Sequence, residues 1–143
     1  EGGGEILSSY SGSNGSLDEI LNVPGGGSRL PLNADNVGSK INTMKMAGRE
    51  VYRHAVQTMM AAANEAIARA GLTPADIEVF IPHQANLRII ETIAQKLHVP
   101  MDRFFVNLTE YGNTSAAAVA IALDEAQRSG RIKRGDHILM VVF

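Results

Sequence analysis

The sequence has 143 residues, of which 45% are hydrophobic and 20% charged, with a formal net charge of −2 at pH 7. These values predict one compact domain and exclude a disordered chain, and the slightly acidic balance argues against a nucleic-acid or anionic-membrane partner. The absence of cysteine excludes disulfides, thiolate metal sites and a thiol nucleophile from this chain. Because the start is not signal-like and no apolar run approaches the roughly 18 residues of a membrane span, we expect a cytoplasmic protein.

The first 43 residues carry weak structural signals. A short, half-apolar strand is predicted from Glu5 to Tyr10, followed by a turn-rich cluster at 11–16. Leu17 to Val23 is consistent with a strand or an irregular edge. The three glycines after Pro24 predict a surface loop that continues through Asn36.

A long amphipathic helix is predicted from Met44 to Ala70. Gly71 suits the position after its end, and Thr73-Pro74-Ala75-Asp76 has the pattern of a new N-cap, a proline at the first helical position and an acid at the third. The predicted buried face of the long helix consists of Val51, Ala55, Met59, Ala62 and Ala66.

The second half of the chain alternates between strand and helix patterns. Ile77 to Ile81 predicts a strand stopped by Pro82, and Leu87 to Leu97 predicts a helix. Further predicted elements are a strand at Phe104–Asn107, a helix of small residues at Ala116–Ala126 and an apolar strand at His137–Phe143. This alternation predicts an α/β fold with a mixed or parallel sheet covered by helices.

Two polar segments flank these elements and contain the candidate catalytic residues. His83 follows one predicted strand, and Asn113, 30 residues later, precedes the last helix. Ligands in α/β sheets bind beyond the carboxyl ends of strands, so both side chains are expected to reach one crevice. A neutral imidazole N–H and an amide NH₂ aimed at one point would form an oxyanion hole. Taken alone, each residue also has a common structural explanation, His83 as a hydrogen-bonded loop residue and Asn113 as a cap or turn residue.

Two longer strings narrow this choice. Residues 81–90, IPHQANLRII, resemble the histidine motif of the β-ketoacyl-acyl-carrier-protein synthase III family, and residues 111–117, YGNTSAA, resemble its asparagine motif. Chalcone synthases share the Gly-Asn pair but lack the HQANLR run. The resemblance covers nearly the whole chain and implies that residues 1–143 are a C-terminal thiolase-like domain with a mixed five-stranded sheet. It also implies that the family's cysteine-bearing N-terminal half and its closing glycine-rich loop lie outside this sequence.

The resemblance implies an acyltransferase that starts fatty acid biosynthesis. The family condenses acyl-CoA, such as acetyl-CoA, with malonyl-acyl-carrier protein in a decarboxylating Claisen reaction. His83 and Asn113 match the pair that stabilises the malonyl thioester oxygen, while a cysteine in the other half holds the acyl group. The family needs no metal or cofactor beyond its two thioester substrates and is expected to form a homodimer. This chain alone is expected to be inactive.

Further residues are assigned by the same resemblance. The run that would meet the carrier protein and its pantetheine arm opens the helix after His83. Arg53 and Lys96 extend a basic patch, although an ordinary solvated helix face explains those two equally well. The carrier-binding set is Gln84, Ala85, Asn86, Leu87, Arg88, Arg53 and Lys96, and the pantetheine-binding set is Asn86, Gly48, Arg49 and Tyr52. Helix packing explains Tyr52 nearly as well.

Two other functions stay open at this point. The chain could be a non-catalytic thiolase-like docking or dimerisation domain that works with a cysteine-bearing partner chain. More remotely, it could belong to a relative that transfers acyl groups without decarboxylation. The sequence does not indicate which acyl chain is used as primer.

Overall fold

The structure is a computed structural model that describes residues 4–143. The chain divides into two compact units, Gly12–His54 and a second unit that combines the residues up to Ser11 with Ala55–Phe143. No helix in the described part of the chain is long and apolar enough to cross a membrane. Whether residues 1–143 act as one domain stays a prediction.

The unit Gly12–His54 is mostly loop, held by a small antiparallel pair. Strand β1 (Leu21–Asn22) pairs with β2 (Lys45–Met46), and short 3₁₀ helices span Gly15–Ile20 and Val37–Ser39. Of the segment Leu17–Val23, predicted as a strand or an irregular edge, only Leu21 and Asn22 form a strand. Asn14 caps the first 3₁₀ helix by accepting a hydrogen bond from the Ser16 backbone N–H, which favours helical turns over a strand there.

The predicted strand at Glu5–Tyr10 is wrong, because this segment forms no ladder. Side-chain contacts attach this segment to Ala66 and Arg69, which belong to the same unit. Ser8 Oγ donates to the Ala66 carbonyl at 2.6 Å, and the Arg69 guanidinium donates to the Ser9 carbonyl at 3.1 Å and lies 5.3 Å from the centre of the Tyr10 ring.

The long helix α1 spans Gly48–Arg69. It begins later than predicted because Lys45 and Met46 pair with β1, and it ends before Gly71, which adopts the expected positive φ of 71°. The Thr73–Asp76 capping box is confirmed and opens a 3₁₀ turn at Pro74–Asp76. Three residues of the predicted buried face, Val51, Ala62 and Ala66, are only partly buried. The residues that the helix buries are Ala55, Val56, Met59, Ala63 and Ile67.

The core sheet pairs β3 (Val79–Pro82) with β4 (Ile138–Val141) in parallel, with Val79 opposite Ile138 and Pro82 opposite Val141. Pro82 is therefore the last residue of β3, and not the first residue after it. Every residue of β3 is buried, as a strand covered on both faces requires. Between the two strands the chain forms α2 (Leu87–Leu97, as predicted), a 3₁₀ turn at Met101–Arg103, α3 (Leu108–Tyr111) and α4 (Ala117–Arg128).

Helix α4 packs its small side chains on one face of β3. Ala122 and Ala126 are fully buried against Val79 and Ile81, so the alanines allow the close approach expected of them. On the opposite face, the Phe80 and Phe104 rings stack with centroids 4.7 Å apart.

The α/β class is confirmed, but the five-stranded sheet is not. Residues 4–143 form two two-stranded sheets, and Phe104 adds a single parallel bridge to Phe80 where a strand was predicted at Phe104–Asn107.

Candidate active site

His83 is the first residue after β3, at the carboxyl end of the parallel pair. Its backbone N–H donates to the Val141 carbonyl at 2.8 Å, so the residue stays tied to β4 although the strand has ended. Its ring is partly buried and lies edge-on to the Phe143 ring, with centroids 5.5 Å apart. This is the location that the sequence predicts for a ligand-facing side chain in an α/β fold.

Burial lowers the pKa of the His83 imidazole below its ordinary value of 6.5. The ring is therefore neutral at pH 7, with one nitrogen protonated and the other bare. A neutral ring can donate one hydrogen bond to a developing oxyanion without bringing a full positive charge into the site.

Gln84 is 1% exposed, and its carboxamide takes the place of a strand partner. Nε2 donates to the Phe105 carbonyl at 3.0 Å and to the Pro82 carbonyl at 2.8 Å, while Oε1 accepts from the Asn107 backbone N–H at 3.1 Å. The Phe105 carbonyl and the Asn107 N–H lie on either side of Val106. They are the two groups that a neighbouring parallel strand would bond. The side chain of Gln84 thus replaces the ladder that ends after the Phe104 bridge.

This burial corrects one member of the predicted carrier-binding set. A side chain whose polar atoms are all bonded inside the protein presents nothing to a docking partner, so Gln84 holds the turn after His83 rather than binding the carrier.

Asn107 continues the network toward α4. It is 5% exposed, and its side-chain Nδ2 donates to Glu125 Oε2 at 2.7 Å. A hydrogen bond from an amide to a carboxylate at this distance is charge-assisted and stronger than a neutral one. Three buried or partly buried polar residues therefore link the turn after His83 to the last turn of α4.

Asn113 lies in an irregular loop between α3 and α4. Its Oδ1 accepts from the Ser115 backbone N–H at 2.9 Å, a donor that fixes which end of the amide is the oxygen. The preceding Gly112 has φ 66° and ψ −162°, a conformation open essentially to glycine alone, and Ser115 has φ 55°. The buried Thr114 hydroxyl has no hydrogen-bond partner in the described part of the chain. Backbone strain of this kind concentrates at functional sites.

The remaining residues after His83 have mixed positions. Asn86 caps α2, because its Oδ1 accepts from the Arg88 backbone N–H at 2.9 Å. Leu87, Arg88 and Lys96 are exposed on α2, and Ala85 is partly buried. Leu87 and Arg88 are therefore exposed to solvent, and Asn86 has a capping role beside its two predicted roles, which stay predictions.

Four predicted binding residues lie on the first turns of α1, in the unit Gly12–His54. Gly48, Arg49 and Arg53 are exposed, and Tyr52 is partly buried. Their pantetheine and carrier roles stay predictions, as does the convergence of His83 and Asn113 on one oxygen.

The chain has clear relatives. Residues 67–143 match the family described as 3-oxoacyl-(acyl-carrier-protein) synthase III, C terminal. The β-ketoacyl-(acyl-carrier-protein) synthase III of Caldanaerobacter subterraneus subsp. tengcongensis is 50% identical over 143 residues, which are 100% of this chain and 43% of that protein. The corresponding protein of Clostridioides difficile is 43% identical over 140 residues, 98% of this chain and 43% of its own.

A solved structure agrees with these relatives. The crystal structure of 3-oxoacyl-(acyl-carrier-protein) synthase III from Aquifex aeolicus VF5 aligns with a TM-score of 0.81 and 42% identity, covering 96% of this chain and 40% of that one. The family match and the shared fold define a segment of a thiolase-like protein. The chain belongs to the 3-oxoacyl-(acyl-carrier-protein) synthase III family. It spans less than half the length of the relatives that it matches.

The sequence did not reveal the Gln84–Asn107–Glu125 network. Gln84 was assigned to carrier binding with its motif neighbours, and Asn107 was predicted to be the end of a strand. One signal was available: Gln84 follows a fully apolar strand, where a polar side chain must find partners inside the protein.

Proposed function

We propose that this chain is part of a β-ketoacyl-acyl-carrier-protein synthase III that condenses acyl-CoA with malonyl-acyl-carrier protein to start fatty acid synthesis. Its own contribution is the pair His83 and Asn113, which stabilises negative charge on the malonyl thioester oxygen. Acyl-carrier protein and acyl-CoA are the partners that this proposal implies, and the homodimer and the cytoplasmic location belong to it as well.

The observation that carries the proposal is that both side chains are available as neutral donors. The oxygen of Asn113 is occupied by Ser115, so this side chain can offer its NH₂ group to a ligand. The burial that lowers the pKa of His83 leaves its imidazole neutral at pH 7. Two uncharged donors suit an enolate oxygen, since they bind it as charge develops without holding the uncharged thioester equally tightly.

The chemistry follows from that pair. The bond between the malonyl carboxylate and the central carbon breaks, carbon dioxide leaves, and the electron pair moves onto the thioester oxygen as an enolate. His83 and Asn113 donate to this oxygen and lower the barrier to its formation. The enolate carbon then attacks the carbonyl carbon of the acyl group on the cysteine, and the cysteine thiolate leaves. The cysteine comes from a segment other than these 143 residues, which contain none.

A segment exchange tests the proposal. The 143 residues that match in the Caldanaerobacter enzyme are replaced by this chain, so that the rest of that enzyme stays in place. We expect the exchanged enzyme to form β-ketoacyl product from acetyl-CoA and malonyl-acyl-carrier protein, detected by mass spectrometry. His83→Ala or Asn113→Ala should lower malonyl decarboxylation by about 100-fold or more.

The unmodified Caldanaerobacter enzyme is the control for assay and folding. An exchanged enzyme that folds like this control but makes no product would contradict the proposal. The isolated chain, mixed with the same substrates, should make no product, because no thiol is present to take the acyl group.

The absence of cysteine also supports a second candidate, a docking or dimerisation domain that works with a cysteine-bearing partner chain. Purification of this chain from its native source, followed by mass spectrometry, separates the two. One continuous polypeptide that contains the chain and a cysteine supports a single enzyme, whereas a separate cysteine-bearing polypeptide that copurifies supports the partner.

A further inference from the structure

Asn107 is bonded on two sides by groups from different parts of the site. Its backbone N–H donates to the side chain of Gln84, the residue next to His83, at 3.1 Å. Its side chain donates to Glu125 at 2.7 Å. The first bond fixes the turn that follows β3, and the second fixes Asn107 to α4.

The second bond also closes a loop that contains Asn113. From Asn107 the chain passes through α3, the irregular turn at 112–115 and the first two turns of α4 before it reaches Glu125. The Asn107–Glu125 bond joins the two ends of this excursion. Asn107 is thus bonded both to the side chain beside His83 and to the helix that follows the loop carrying Asn113.

The loss of either hydrogen bond would leave a polar group without a partner in a largely buried site. Gln84 and Asn107 are 1% and 5% exposed, so water cannot readily replace a lost partner. Arg128, by contrast, pairs with Asp124 one residue away from Glu125, and both of those side chains are mostly exposed. The neighbouring ion pair is a surface feature, whereas the Asn107–Glu125 bond reaches into the core.

We propose that Asn107 and Glu125 are positioning residues that fix His83 and Asn113 relative to each other, an inference that rests on the proposed function of that pair. Neither residue needs to touch the substrate. They act by holding two donors at the separation that one oxygen requires, and errors of this kind lower the rate of the chemical step more than they weaken substrate binding.

A reciprocal exchange of donor and acceptor tests the proposal in the segment-exchanged enzyme. Asn107→Asp keeps the backbone bond to Gln84 but places a carboxylate against Glu125, so the two side chains repel each other. We expect kcat for malonyl-carrier decarboxylation to fall about 10-fold or more, with KM changed less than about threefold. Adding Glu125→Gln restores a donor opposite the new carboxylate, and kcat should return to within about threefold of the parent.

Asp124→Ala is the matched control, since it removes the adjacent surface ion pair and leaves the network intact. It should leave kcat unchanged. An Asn107→Asp enzyme with parental kcat, or a double variant no better than the single one, would overturn the proposal.

A second measurement does not depend on activity. In the 143-residue chain, NMR signals of the His83 ring and of the Asn113 side-chain amide should both shift in Asn107→Asp, return in the double variant and stay unchanged in Asp124→Ala. If the parent exchanged enzyme is inactive while these shifts occur, the proposed function fails, but the structural coupling of His83 and Asn113 through Asn107 is still supported. If neither signal moves, the positioning role fails whatever the activity.

Discussion

The side-chain oxygen of Asn113 accepts a hydrogen bond from the backbone N–H of Ser115 at 2.9 Å. This contact gives the oxygen and the nitrogen of the Asn113 side chain different roles. The oxygen holds the loop, and the nitrogen remains for a ligand. A substitution that keeps the oxygen and removes only the donor can therefore test function without disturbing the loop.

Asn113→Asp keeps the accepting oxygen and removes the NH₂ donor. A carboxylate oxygen can still accept from Ser115, but the NH₂ donor is replaced by a negative charge that would repel an enolate. In the segment-exchanged enzyme we expect malonyl decarboxylation to fall about 100- to 1,000-fold, the usual effect of losing one oxyanion donor, with the melting temperature almost unchanged.

Asn14→Asp is the matched control for that variant. Asn14 accepts from the backbone N–H of Ser16 with the same two-residue spacing, at 3.1 Å, in the exposed part of the other unit. It should leave the rate unchanged. Equal rates for Asn113→Asp and the parent enzyme would refute the donor role of Asn113.

His83 gives a prediction about pH. Because burial lowers its pKa below 6.5, the unfolded chain binds a proton at this residue before the folded chain does. Above pH 6.5, His83 should therefore have little effect on the free energy of unfolding. As the pH falls below 6.5 through the folded pKa, His83 should lower the free energy of unfolding. The neutral donor should likewise keep decarboxylation active somewhat below pH 6.5.

Urea unfolding at pH 8 and pH 5 measures this effect. His83→Gln should reduce the loss of stability between the two pH values. His98→Asn serves as the control, because His98 caps α2 with a positive φ of 55° that asparagine tolerates well. An unchanged pH dependence in His83→Gln would contradict the prediction.

The sequence predicted the elements that carry the site more reliably than the contacts that hold them. Helix α2 follows directly from its apolar spacing, because that spacing is a local signal. The segment at Phe104–Asn107 has strand-like residues but forms only one bridge, since the side chain of Gln84 supplies its next partner. A side chain that replaces a strand is a tertiary contact, and no local pattern encodes it.

The same limit applies at the start of the chain. Glu5–Tyr10 has a composition suited to a strand, yet Ser8 and Arg69 attach this segment to α1. The motif strings singled out His83 and Asn113, whose shared role stays a prediction, while the buried position of Gln84 depends on contacts with residues more than 20 positions away.

Gln84→Glu tests the buried network through stability. The new carboxyl would face the carbonyl oxygens of Pro82 and Phe105, which now accept from Nε2. Both burial and these oxygens should raise its pKa above the unfolded value of about 4.3. Such a group costs little below the unfolded pKa and destabilises increasingly as the pH rises through the folded pKa. We expect a loss of about 3 kcal/mol in the free energy of unfolding at pH 7.

Gln95→Glu on the exposed face of α2 is the matched control and should change stability by less than about 0.5 kcal/mol. The measurement is urea unfolding between pH 4 and pH 8. A Gln84→Glu chain that is equally stable across that range would show that the carboxamide is dispensable.

Arg88 provides the test of carrier docking. It is exposed in the first turn of α2, close in sequence to His83, whereas the buried Gln84 of the same motif cannot reach a partner. An arginine at this place can pair with an acidic carrier surface, and charge pairs at the edge of an interface act mainly on the association rate. In the segment-exchanged enzyme, Arg88→Glu should lower kcat/KM for malonyl-acyl-carrier protein about 10-fold or more while changing kcat/KM for acetyl-CoA less than about threefold.

Lys133→Glu is the control, since Lys133 is also exposed but precedes β4 and so lies toward the opposite end of the parallel pair from His83. Added salt should weaken carrier use in the parent enzyme and have less effect in Arg88→Glu, because exposed charges are screened over about 8–10 Å at physiological ionic strength. Equal losses with both substrates would show that Arg88 supports the fold or the catalytic site rather than the carrier.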